Sequence, residues 1–87
     1  MQKNLGAKKP HEVVEHTFIT SKPIMAAVGS CDCLNVRVYE HGVTFKWKMP
    51  EFPFQIRKDT LLIQQAIEVT YKDYTKEIFT FDVNLIK

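Results

Sequence analysis

Two cysteines flank a single aspartate in "SCDCLN", and three histidines, His11, His16 and His41, complete the inventory of soft ligands in this chain. Structural zinc sites pair cysteines across two to four intervening residues, and Cys31 and Cys33 have one. His11 and His16 are five positions apart, which places them about 140° apart on a helix and on opposite faces of a strand. The ligand types are present without the ligand spacing, so neither a metal nor a cofactor is expected. A bridge between residues two apart is strained in an extended chain. The opening "MQKNLGAKKPHE" has charge but no apolar stretch behind it, unlike a secretory signal. A cytoplasmic setting and free thiols are the corresponding expectations.

Covalent catalysis finds no better footing. Ser21 and Ser30 are the only serines, and neither lies in a strand-turn-helix elbow. Cys31 or Cys33 could meet His41 in three dimensions, but nothing local supports such a pair. The three glycines, Gly6, Gly29 and Gly42, are isolated, so there is no phosphate-cradling loop. Paired carboxylates are absent from any recognisable shared face. A non-enzymatic binding or regulatory protein is expected, without a small-molecule substrate.

Two stretches have the chemistry of contact surfaces. In "NVRVYEHGVTFKWK", residues 35–48, alternation sends Val36, Val38, Val43, Phe45 and Trp47 to one face and Arg37, Tyr39, Lys46 and Lys48 to the other. Arg57 is expected to extend this basic face. Phosphate contact with base stacking is how small β-domains hold single-stranded nucleic acid, and Tyr39 is the one aromatic placed to stack. In "KMPEFPF", Phe52 and Phe54 stand among Pro50 and Pro53. They either plug the end of the core or form a proline-stiffened apolar contact loop. Association with another protein, or with a second copy, is the leading expectation. Single-stranded nucleic-acid binding by the basic hairpin face is the alternative. No membrane partner is expected, because no apolar run nears the roughly 18–20 residues of a span.

These residues need elements to hold them. Residues 34–39 and 43–47 alternate as two strands. Parity allows a two-residue His41-Gly42 turn, which suits a glycine at positive φ, or a four-residue loop over residues 39–42; the longer loop is favoured because it pairs Arg37 with Thr44 rather than with the like-charged Lys46. Residues 67–71 and 78–85 alternate as a second hairpin, with Ile67, Val69 and Tyr71 facing Phe79, Phe81, Val83 and Leu85. An odd loop in "KDYTK" keeps those sets together. "PIMAAVG" has the length of a buried strand. Residues 10–18 and 59–66 are open to helix or strand: Pro10 suits a first helical turn, whereas Thr17–Ile19 is β-branched and aromatic. Gln55–Lys58 reads as part of a short edge strand.

Eighty-seven residues with a formal charge of +2 make one domain that buries only about 60–65% of its unfolded surface. Its apolar and aromatic content is that of a globular chain. The expected fold is mainly β: a small antiparallel sheet curled as a barrel or sandwich, with at most one or two short helical turns. The alternative is α+β, a helix packed on one antiparallel sheet. Residues 1–11, with Lys3, Lys8 and Lys9 and no acid, read as a flexible basic tail before a β-rich domain over 12–87. The expected core includes Val36, Val38, Phe45, Trp47, Val69, Phe79, Phe81 and Val83.

Overall fold

A computed structural model of the chain describes residues 2–53, 55 and 57–87. The strands are β1 (Gln2–Lys8), β2 (Val13–Ile19), β3 (Ile24–Gly29), β4 (Leu34–Tyr39), β5 (Gly42–Lys48), β6 (Thr60–Tyr71) and β7 (Lys76–Ile86). They make a long sheet, ordered β1-β7-β6-β3, and a short one, ordered β2-β5-β4. Every neighbouring pair is antiparallel except β1 and β7, which run parallel. The described residues contain no helix, and so none long and apolar enough to cross a membrane. The fold is mainly β, as the alternation predicts. The two sheets pack face to face in sandwich fashion and do not close into a barrel.

In the short sheet Val14, His16 and Phe18 stand beside Trp47, Phe45 and Val43, and these beside Leu34, Val36 and Val38. This is the predicted face and the predicted register, with Arg37 opposite Thr44 and Val38 opposite Val43. Pairing continues one step further, to Tyr39 and Gly42, so Glu40 and His41 alone make the turn. The β6–β7 hairpin also has the predicted parity. Tyr71 N–H bonds Thr75 carbonyl (2.8 Å) across a three-residue loop. The loop ends in Tyr74 at φ 68°, the left-handed position that follows a type I turn in such hairpins. Residues 59–66 resolve as strand and join 67–71 in one 12-residue β6.

Inward side chains from both sheets form one core. Phe18 stacks on Phe79 (4.9 Å between ring centres) and Phe45 on Phe81 (4.2 Å), while Trp47 meets Phe81 edge-on. Val14, Ile24, Ile67, Tyr71 and Leu85 are among its other members. Gly29 allows β3 to pass close to β4, because a Cβ there would lie 3.2 Å from Leu34 Cδ1 and 3.3 Å from Val36 Cγ2.

Several expectations are corrected. Residues 2–8 are a strand, not a tail. An edge strand needs backbone pairing on one side only, and β1 supplies that with Leu5 packed on the core. Its polar side chains hide the strand from alternation while shielding the edge from other chains. Gly6, at φ 84° with its N–H on Asn4 Oδ1 (2.8 Å), absorbs a shift of register between Asn4 and Ala7. Pro10 opens a β-turn rather than a helix: Glu12 N–H bonds Lys9 carbonyl (3.2 Å), with His11 at φ 67°. β3 is an edge strand with Met25 and Val28 exposed, so its apolar run is not fully buried. Val38, 41% exposed, stands at the turn end of an edge strand and lies outside the core, and Val36 is only partly buried. Gln55, Arg57 and Lys58 are not in a strand, and Phe54 and Ile56 of that stretch lie outside the described residues.

The cysteines are also corrected. Cys31 and Cys33 are joined in a disulfide with their Cα atoms 5.1 Å apart. The free-thiol expectation assumed an extended chain, where residues two apart span about 6.6 Å. A turn brings them closer: Leu34 N–H bonds Cys31 carbonyl (3.1 Å).

Charges gather at the tip of the long hairpin. Asp73 accepts the Thr75 hydroxyl (2.5 Å) and N–H (3.0 Å), with Lys22 Nζ 3.2 Å away. The Thr75 bonds, then Lys22, draw its carboxyl from 3.8 down to about 2. Burial, then a hydrogen bond to Glu77, pushes the Tyr71 phenol up to about 12. Half-buried among Phe18 and Phe45, His16 is lowered by desolvation and by the nearby Lys3.

Four outcomes are expected. In urea denaturation, Phe81→Ala should lose about 3–5 kcal/mol, the usual cost of emptying an aromatic core site. Tyr74→Gly should gain about 1 kcal/mol, because its 80% exposed side chain contributes little packing to offset the left-handed backbone. Asp73 binds its proton more weakly folded than unfolded, so its contribution is present above about pH 4 and lost as pH falls through about 2. Tyr71 binds its proton more tightly folded, so its contribution is present below pH 10 and lost as pH rises toward 12. Asp73→Asn should flatten the acid limb and Tyr71→Phe the alkaline limb of stability measured against pH.

Candidate binding face

Because Phe45 and Trp47 point inward, residues 44, 46 and 48 of β5 point outward. Three cross-strand rows result: Glu15–Lys46–Asn35, Thr17–Thr44–Arg37 and Ile19–Gly42–Tyr39, with Val13 beside Lys48 at the far corner. The face thus brings together four predicted residues, Arg37, Tyr39, Lys46 and Lys48. Glu15, Asn35, Arg37, Tyr39, Thr44 and Lys46 line a shallow depression of about 100 Å³. Thr17 and Thr44 share a hydroxyl–hydroxyl hydrogen bond of 2.7 Å that ties β2 to β5 on this face.

Strand β2 brings what the hairpin sequence alone could not show. Glu15, opposite Lys46, offsets one of the three cations on the face. At the other end Ile19 (74% exposed) and Tyr39 (57% exposed) are both paired with Gly42, which is itself buried. A Cβ at Gly42 would lie 3.8 Å from Ile19 Cδ1. The result is an exposed apolar pair, Ile19 and Tyr39, one row from Arg37. The only available signal for Ile19 and Glu15 was the period-two pattern of residues 13–19, which Pro10 obscured by suggesting a helix.

The remaining predicted residues are elsewhere. Arg57 lies in the connection between β5 and β6, outside the strand rows. Phe52 is 9% exposed and joins Met49 (1%) in the core cluster, so it is a plug rather than a contact residue. Phe54 lies outside the described residues. His11 pairs with Glu51 (3.7 Å), His16 faces inward and His41 sits in the β4–β5 turn. No three His, Cys, Asp or Glu side chains converge as metal ligands among the described residues.

A second depression, of about 430 Å³, opens on the outer face of the long sheet. There β1 begins beside Thr80 and β3 ends beside Ile67, leaving the middle of the central hairpin uncovered. Gln2, Ser30, Gln64, Gln65, Ala66 and Asp82 are among its lining residues. Asp82 is 7% exposed, and its Oδ1 has no hydrogen-bond partner among the described residues. Comparison of the chain with protein-family models, curated proteins and solved structures finds no match.

Proposed function

We propose that the chain is a non-enzymatic protein-binding module that docks an acidic, partly apolar surface of another protein on the outer face of β2, β5 and β4. The observation that carries this reading is the placement of the exposed Ile19 and Tyr39 one row from Arg37 and two rows from Lys46 on one face. An apolar anchor bordered by charge is how protein interfaces combine affinity with orientation. Phe52 has no part in it, and Arg57 enters only as an accessory cation.

Single-stranded nucleic acid is the second reading. It draws on the exposure of Tyr39 beside Arg37 and Lys46, a stacking ring between cations. Glu15, in the same row as Lys46, opposes a phosphate track.

The two readings respond differently to the same variants. For an acidic protein partner found by affinity capture, Ile19→Ser should weaken binding by accelerating release. Arg37→Glu with Lys46→Glu should mainly slow association. For a labelled oligonucleotide followed by fluorescence anisotropy, Tyr39→Ala should cost about 1–3 kcal/mol. Ile19→Ser should then be neutral, and affinity should fall with salt at a slope of about −0.7 per phosphate neutralised. If all these variants leave both captured partners and oligonucleotide affinity unchanged, the face is a solvated back. Concentration-dependent sedimentation that Ile19→Ser abolishes would instead identify a second copy as the partner.

A further inference from the structure

The Cys31–Cys33 bridge closes the turn that carries the chain from β3 of the long sheet to β4 of the short one. Its two sulfurs lie in different surroundings. Cys31 is partly buried against the core, whereas Cys33 is exposed. Each sulfur has an N–H donor. Cys31 Sγ receives the Cys33 N–H at 3.0 Å, and Cys33 Sγ lies 3.9 Å from Gln65 Nε2. Gln65 is itself held in place: its Oε1 accepts the Ser30 hydroxyl (2.6 Å), and Ser30 Oγ accepts the Ala66 N–H (2.9 Å).

Donors placed on a sulfur favour its thiolate, and a thiolate so favoured is a good leaving group. A bridge whose ring encloses a single residue also restricts little of the unfolded chain, so it adds little to the stability of the fold. Exposure, donors and a minor structural contribution together describe a bridge built to open. Cystines that are exposed in this way belong to the labile, exchanging class.

We propose that Cys31–Cys33 is a thiol–disulfide exchange site whose reaction partner is a small-molecule thiol. The entering thiolate attacks Cys33 Sγ, the accessible sulfur. A bond forms between the two, the Cys31–Cys33 bond breaks, and the electron pair leaves on Cys31 Sγ, where the Cys33 N–H stabilises it. A second thiolate of the same kind attacks the small-molecule sulfur of the mixed disulfide. Cys33 then leaves as a thiolate beside Gln65 Nε2, and the small-molecule disulfide departs. The protons of the two thiols end on Cys31 and Cys33. The chain gains two electrons, and the two thiols, oxidised to one disulfide, supply them. The same steps run in reverse with a small-molecule disulfide as oxidant.

The experiment uses the full chain, first oxidised with excess oxidised glutathione and then titrated with reduced glutathione. Alkylation and intact mass report the thiols, and far-UV circular dichroism reports the fold. The expected result is that both cysteines become alkylatable while the dichroism spectrum is unchanged. In single-cysteine variants challenged with oxidised glutathione, Cys31→Ser, which leaves the exposed Cys33, should form the mixed disulfide several-fold faster than Cys33→Ser. Failure of the full chain to form the bridge overturns the proposal, as does reduction seen only when the fold is lost. Equal rates in the two variants would overturn the assignment of Cys33 as the sulfur attacked.

Discussion

Phe45 and Phe81, stacked across the sandwich at 4.2 Å between ring centres, form the contact on which the rest of this structure depends. Phe81 also approaches Phe18 and Trp47, so one residue of the long sheet meets three aromatic side chains of the short one. A chain of this size has few such anchors, and each aromatic ring represents a large share of the apolar surface it buries. The contact also fixes register. A slip of one residue in β5 or in β7 would turn these rings to solvent and bring Lys46 or Asp82 to the core. The even turn at Glu40–His41 and the odd loop at Lys72–Tyr74 are the local conditions that keep both sets of rings facing inward.

That dependence explains what could be read from the chain alone. The hairpins over 34–48 and 67–85 were legible because half-buried strands record their two faces as alternation; parity narrowed each register to two, and the repulsion of Arg37 and Lys46 chose the observed one in the first hairpin. The N-terminal strand was not legible. Its pairing with β7 rests on backbone groups that every residue possesses, and only Leu5 reaches the core. The bridge was missed for a related reason: the turn that brings Cys31 toward Cys33 depends on where β3 ends and β4 begins, which alternation in one strand does not specify. Phe52 illustrates the limit of composition. An aromatic residue between prolines is compatible with a contact loop and with a core plug, and only the position of the loop over Met49 and the core decides between them.

The candidate face was half legible. Arg37, Tyr39, Lys46 and Lys48 share a side by alternation within one hairpin, and the structure keeps them together. Ile19 and Glu15 come from a strand that is distant in sequence, so the exposed apolar pair and the offsetting carboxylate exist only after β2 has paired with β5. The inner side of the short sheet is committed to packing. Its outer side is free of that duty, and there charge and apolar exposure can be combined without cost to the core.

The parallel pairing of β1 with β7 gives the molecule a mechanical character. Gln2 lies beside Thr80 and Lys8 beside Leu85, so the start of β1 and the end of β7 are at opposite ends of one ladder. Tension applied at those two points runs along the strands and loads the hydrogen bonds of the ladder together, in shear. Strands joined by a hairpin and pulled at their open end would peel apart one bond at a time. The same seven residues that escape notice in the sequence therefore make β1 a clamp against stretching.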